Sequence, residues 1–325
     1  MDLMELLKAL AFGVVEGITE WLPVSSTGHM MLLNQFAALD VSASFYDTFI
    51  VVIQLGAIMA VIATFFRKLN PFGLRKTPQQ RRSTWGIWAK VVVGSVPAAI
   101  VGFALDDWME QHVMNDPRLS FIVVAGALVA YGLAFIVMEL VNRRRIEDAR
   151  APRGAHARCA GDDGECQRIR AFTWADEPER ADSSEIISSV RTFDELSLPK
   201  ALAIGVFQAL AIVPGTSRSG AIILGSMLLG TTRTIATEFA FFLAIPIMFG
   251  WSLLKFIKHG FAYTQMEWVI FGVGVLTAFI VSLVSIRFLV SFVKKHDFTA
   301  FGVYRILIGL AVLGYFGWFL GGFWG

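Results

Sequence analysis

The stretch GVVEGITEWLPVSSTGHM, residues 13 to 30, gathers two carboxylates, three adjacent hydroxyls and an imidazole. Glu16 and Glu20 stand four residues apart and share one face of any helix formed there. Such a pair can bind a divalent cation, or one carboxylate can act as base while the other positions it. The same spacing also fits a polar stripe facing a helix-bundle interior. Ser25 and Ser26 lie just before His29, with Gly28 between them to let the backbone turn. Histidine moves protons near neutral pH, and a neighbouring base activates serine as a nucleophile. A second cluster, PGTSRSG from Pro214 to Gly220, has the complementary character. Gly215 and Gly220 permit a tight turn, while Thr216, Ser217 and Ser219 supply hydroxyl donors. Successive backbone N–H groups and a helix starting near Ala221 favour an anion. Arg218 carries the planar, permanent charge suited to phosphate, or it neutralises Glu16 or Glu20; an empty pocket accommodates both roles. Together the clusters suit hydrolysis of a phosphate ester or anhydride, with positioning and charge stabilisation supplying most of the rate.

The elements that carry these groups are greasy. Of 325 residues, 55% are hydrophobic and 17% charged, against roughly 25% charged in a soluble domain. Runs of about 20 apolar residues, enough to span a bilayer, occur at 45–66, 85–105, 119–141, 234–254, 267–286 and 300–322. The substrate of the two clusters is therefore expected to be a lipid, in a multi-pass all-α membrane protein. An ionisable group at the bilayer centre costs roughly 2.5–3.5 kcal/mol on insertion scales, so buried acids there need a partner or a task. No basic segment followed by a small-residue cleavage site opens the chain, and no cleaved signal peptide is expected.

Compared with itself, the chain repeats. GVVEGITEWLPVSSTG from Gly13 aligns with GVFQALAIVPGTSRSG from Gly205, setting Glu16 opposite Gln208. Residues 1–142 and 199–325 are read as two membrane repeats. Residues 143–198 form a polar loop that takes 12 of the 26 acids and is expected to be cytoplasmic and weakly structured. One short amphipathic helix is expected at its end, and Cys159 and Cys166 within it are read as reduced bystanders. Each repeat opens on a proline-interrupted segment, the pattern of a broken helix lining a cavity. Basic residues at 67–84 and at Arg143, Arg144 and Arg145 mark the cytoplasmic side by the positive-inside rule. In the second half the charge tally is even, so the broken segments could dip and return, giving six spans and inverted repeats, or cross, giving eight. Hydroxyl-rich loops flanked by proline favour dipping. Arg287 and Arg305, near span ends, are expected to snorkel. Glu139 is placed beside the basic cluster, and Glu238 behind the second loop.

At these residues the sequence resembles the bacterial undecaprenyl-diphosphate phosphatases, also called bacitracin resistance proteins. EGITEWLPVSSTGH and PGTSRSG are its paired signatures, and VVIQLGA (51–57) and TEFAFFLAIP (237–246) resemble further family segments. The resemblance implies an inverted-repeat fold with two re-entrant segments in the bacterial inner membrane and a pocket opening to the outer, periplasmic face. It implies hydrolysis of undecaprenyl diphosphate to undecaprenyl phosphate in recycling of the cell-wall carrier lipid, with resistance to bacitracin. By the same resemblance Glu16 and Glu20 form the acidic pair and bind a divalent cation, Mg²⁺ or Ca²⁺. Ser26 matches the candidate nucleophile and His29 its proton-transfer partner. Arg218 matches the diphosphate clamp, supported by Gly215, Thr216, Ser217 and Ser219. A serine nucleophile and a directly activated water both fit this set. Ile50 and Ile222 stand where the family often carries glutamate and threonine, and the central loop is longer than usual.

The competing reading is a transporter or flippase for a lipid phosphate or small anion, since repeats with broken helices are transporter architecture. Acids and histidine in one half and arginine in the other argue against it. The expected partners are an isoprenyl diphosphate lipid and the membrane, not nucleic acid, and a homodimer is compatible with the sequence.

Overall fold

The computed structural model describes residues 3–150, 182–260 and 262–319. Its helices are α1 (Leu3–Thr19), α2 (Ser26–Phe36), α3 (Ala43–Thr64), the single turn α4 (Phe66–Leu69), α5 (Pro78–Met109), α6 (Pro117–Arg150), α7 (Leu198–Ala209), α8 (Arg218–Leu228), α9 (Arg233–His259), α10 (Gln265–Lys295) and α11 (Thr299–Phe319). No β-strand forms among the described residues, only an isolated bridge between Val190 and Thr231. Six helices (α3, α5, α6, α9, α10 and α11) are long and apolar enough to cross a membrane, and they cover the six expected spans. Their ends are set by local chemistry. Ser42, Thr77, Thr232 and Thr264 accept hydrogen bonds from the first turns of α3, α5, α9 and α10, and Gln80 and Glu267 complete capping boxes.

The remaining helices are short. α2 and α8 have 11 residues each, or about 16 Å at 1.5 Å per residue, half a hydrocarbon core. Two contacts show where each pair goes. The Asp40 N–H, just past α2, donates to Glu5 Oε2 at the start of α1 at 2.8 Å. In the second half the Ser189 and Val190 N–H groups, before α7, donate to the Gly230 carbonyl, after α8, at 3.0 Å. Each pair is a hairpin whose two open ends lie together.

Helix directions agree. Gly13 and Gly17 of α1 lie against Gly274 and then Ala278 of α10, while Gly56 of α3 lies against Val275. Phe49 of α3 packs on Gly274, so α1, α3 and α10 advance together. On α5, Lys90 donates to the Phe193 carbonyl before α7, and Gly94 meets Ala201 of α7 and Phe239 of α9. Further along, Gly102 shares a cavity wall with Gln208 and meets Trp251, so α5, α7 and α9 share a direction too. The neighbours also correspond: α1 and α3 pack on α10 as α7 and α9 pack on α5, and α6 pairs with α11. This is the packing that dipping segments would give. Close backbone approach through small residues suits helices in lipid, where packing rather than water exclusion drives association.

The core has an aromatic cluster around Phe12, Phe45, Phe49 and Phe271 and a larger one running from Trp21 through Phe239, Phe241 and Phe242 to Phe298.

The polar loop is more ordered at its edges than its composition implies. α6 continues to Arg150, and residues 182–197 pack against the bundle. Glu139 is fully buried and takes a two-pronged ion pair from Arg233 at 3.0 and 2.6 Å, instead of meeting the basic cluster. Asp182 lies 3.9 Å from Arg233 and accepts from Ser184 and Thr234, fixing the chain before α7. The expected amphipathic helix is reduced to a 3₁₀ turn, Ser183–Ile186. Cys159 and Cys166 lie outside the described residues. Glu238 pairs with Lys68 of α4 rather than standing behind the second loop.

Candidate active site

The tips of the two hairpins meet inside the bundle. Each return helix is entered through a serine in left-handed backbone, Ser25 at φ 72° and Ser217 at φ 68°, the two non-glycine residues with positive φ among those described. Such positions cost of order 1–3 kcal/mol each and persist where the surroundings over-determine them. One offset pairs Glu16 with Gln208, Ser25 with Ser217, Ser26 with Arg218 and Gly28 with Gly220. The first residues of α2 and α8 are thus Ser26 and Arg218, and both helices bring N–H groups and positive dipole ends to the tips.

Glu20 joins the halves. Its Oε2 accepts from Ser26 Oγ at 2.8 Å, and its Oε1 accepts from Arg218 Nη2 at 2.6 Å. The Ser219 hydroxyl donates to the Glu20 carbonyl at 3.1 Å, and Ser217 Oγ accepts the Gly220 N–H at 3.2 Å. Arg218 therefore does neutralise an acid of the first hairpin, and it also faces a cavity of about 280 Å³ with Glu20, Ser26, Thr27 and Ser217. A second cavity of about 380 Å³ shares Ser26, Thr27, Val51 and Gln54 with the first and is lined by Glu16 and Ile50. Both cavities reach the side that carries Asp106, Met114 and Ser120, opposite the basic 67–84 segment.

Glu16 is 1% exposed and adjoins Glu20. Its Oε1 has no hydrogen-bond partner on the protein. Two adjoining carboxylates, one with a free buried oxygen, fit a hard cation that takes oxygen ligands. Among the described residues, the group of three acidic side chains close enough to hold a metal lies elsewhere: Asp106, Asp107 and Glu110, near the cavity rim. Lys258 binds Asp107 at 2.8 Å and Lys255 approaches Glu110 at 3.7 Å.

The other expected site residues stand behind this centre. His29 Nδ1 donates to the Ser25 carbonyl at 2.7 Å, leaving Nε2 to accept from the Tyr304 hydroxyl at 2.8 Å. The carbonyl can only accept, and this fixes the tautomer. Ser26 thus contacts Glu20, and His29 grips the strained residue beside it. Gly215, Thr216 and Ser219 line neither cavity. Gly215 has φ 91°, and a Cβ there would lie 2.5 Å from the Val124 carbonyl, so only glycine fits.

Three contributors were not assigned from sequence. Arg305 does not snorkel: it is fully buried, with no carboxylate partner among the described residues, and donates to carbonyls of both tips. Its acceptors are Pro23 at 3.1 Å, Gly215 at 2.9 Å, Thr216 at 2.8 Å and Leu128 at 3.5 Å. An arginine one turn inside an otherwise uncharged span is the signal that could have revealed it. Tyr304, its neighbour on α11, points about a quarter turn away, is 41% exposed and reaches His29. Gln208, 2% exposed on α7, lines the Arg218 cavity.

Comparison with known proteins adds independent support. The chain is 44% identical over 317 residues to the undecaprenyl-diphosphatase of Lactiplantibacillus plantarum, covering 97% of this chain and 98% of that protein. It is 43% identical over 315 residues to undecaprenyl-diphosphatase 1 of Clostridioides difficile, covering 97% of each. Against the undecaprenyl-diphosphatase of Streptococcus thermophilus it is 45% identical over 316 residues, covering 96% of this chain and 94% of the relative. The model of the family described as bacitracin resistance protein BacA matches residues 9–311, taking in both hairpin tips, five of the six long helices whole and the first part of α11, and the chain belongs to that family.

Proposed function

We propose that the protein is an integral membrane phosphatase that hydrolyses undecaprenyl diphosphate to undecaprenyl phosphate and phosphate. The observation that carries this reading is the Ser26–Glu20–Arg218 chain, in which one carboxylate orients a hydroxyl and holds the guanidinium aimed into the same cavity. Arg218 and Ser217 grip the diphosphate, and Gly215, Thr216 and Ser219 shape the loop that presents them. Ser26 attacks the terminal phosphorus while Glu20 accepts its proton, and the bridging P–O bond breaks to release undecaprenyl phosphate. Water then hydrolyses the phosphoserine to free phosphate and restores the hydroxyl. The alternative is a water attacking directly, with Glu20 as base and the same bond broken. His29, held by Tyr304, keeps Ser25 and hence Ser26 in register. Glu16 and Glu20 would hold a divalent cation, Mg²⁺ or Ca²⁺, whose chemistry is to offset phosphate charge. A transporter requires no hydroxyl hydrogen-bonded to a carboxylate at the anion site, and the named relatives do not favour one. The acidic rim is assigned to the outer face of the bacterial inner membrane, because the opposite face carries the basic residues of 67–84.

Purified protein in detergent with undecaprenyl diphosphate and Mg²⁺ should release phosphate. No release, together with lipid flux in vesicles, would overturn the assignment. Ser26→Ala decides the nucleophile, because substantial residual turnover would favour water.

A further inference from the structure

The repeat places an amide where its counterpart has an acid. Glu16 lines one cavity and Gln208 lines the other, and the two cavities meet at Ser26, Thr27, Val51 and Gln54. Gln208 is 2% exposed, yet neither its Oε1 nor its Nε2 has a hydrogen-bond partner among the described residues. A buried primary amide offers two N–H donors and an acceptor oxygen, and native structures rarely leave such groups unpaired. A glutamine serving only the packing of α7 would be expected to bond to a neighbouring carbonyl or hydroxyl. This one instead shares a cavity wall with Arg218, Ser217 and Glu20. A carboxylate at that position would repel an anion held by Arg218, whereas an amide of the same shape donates to it.

We propose that Gln208 is a substrate contact, its side-chain N–H groups donating to phosphate oxygens of the anion that Arg218 holds. The inference rests on the phosphatase reading for the identity of that anion. The halves then divide the work: Glu16 faces the cation side of the site and Gln208 the phosphate side. The position is specific for an uncharged donor.

The test compares the full-length parent, Gln208→Leu and Gln208→Glu in detergent. Turnover of undecaprenyl diphosphate is measured beside calorimetric binding of a non-hydrolysable farnesyl methylenediphosphonate. Loss of hydrogen bonds to a charged ligand should weaken phosphonate binding and raise KM by about ten- to a hundredfold in Gln208→Leu. The melting temperature should hold or rise, because an unpaired buried amide has been removed. Gln208→Glu should bind more weakly still. Phosphonate binding within about twofold of the parent, with a lower melting temperature in Gln208→Leu, would overturn the proposal. Should Gln208→Leu fail to fold, the isosteric Gln208→Glu decides alone, and parent-like binding there would likewise overturn it. A parent that binds phosphonate but releases no phosphate would sink the phosphatase reading while leaving the binding comparison decisive for Gln208.

Discussion

The two hairpins share a backbone plan and differ in chemistry. Both enter through a helix, turn at a strained serine and return through a helix of 11 residues. The first carries Glu16, Ser25 and Ser26 where the second carries Gln208, Ser217 and Arg218, and Glu20 stands opposite Ile212. Symmetry of the backbone brings two helix N-termini to one point, and asymmetry of the side chains makes that point react. A site with the same residues on both sides would either repel phosphate with four acids or hold it with two arginines and no base. Under the proposed function, the difference assigns proton handling to the first hairpin and phosphate to the second.

That division can be broken experimentally. Glu20→Gln should lower kcat by about a thousandfold while KM moves little, since general-base catalysis is worth roughly 10²–10⁴. A rise in KM with kcat intact would assign Glu20 to binding and collapse the distinction. Arg218→Lys keeps the charge but loses the planar fork. It should cost about 2–4 kcal/mol in kcat/KM, roughly thirty- to a thousandfold. Activity within tenfold of the parent would mean that Arg218 mainly neutralises Glu20.

Arg305→Lys tests what the hairpins have in common. It keeps a cation but gives up most of the carbonyl bonds, and at about 1 kcal/mol per bond stability should fall by about 2–3 kcal/mol in denaturant unfolding. An unchanged unfolding midpoint would show that the tips hold together without it. Tyr304→Phe removes the one hydroxyl on His29 Nε2. Turnover should fall by about two- to tenfold, the value of a single neutral hydrogen bond; a loss near that of Glu20→Gln would give His29 a direct part in proton transfer. The smallest effect is expected from replacing residues 151–181 with a short Gly/Ser linker, which should leave phosphate release near the parent's.

Much of this was legible in the sequence. Six apolar runs gave the long helices because hydrophobic length alone decides what can span a bilayer. The facing motifs were readable because Glu16, Glu20, Ser26 and Arg218 are costly residues in greasy surroundings. The direction of the second half was not, since Lys255 and Lys258 balance Lys294 and Lys295 and only packing on α5 and α10 distinguishes the two paths. Arg305 was misread for a related reason: position near a span end describes one helix, while its acceptors come from three other segments. The order of residues 182–197 depends on Asp182 meeting Arg233, a contact without local periodicity.

Arg305 also sets an order of events during synthesis. It lies on α11, which is made after both hairpins, so Pro23, Gly215 and Thr216 enter the membrane before the group that ties them exists. The tips can already meet through Glu20, Arg218 and Ser219, and the bonds from Arg305 that tie the carbonyls of both are added in one late step. A nascent chain stalled before Thr299 should therefore hold every candidate catalytic side chain but bind the diphosphonate poorly, and supplying α11 as a separate peptide should restore binding. Tight binding by the stalled chain alone would show that the unit closes earlier, without its tether.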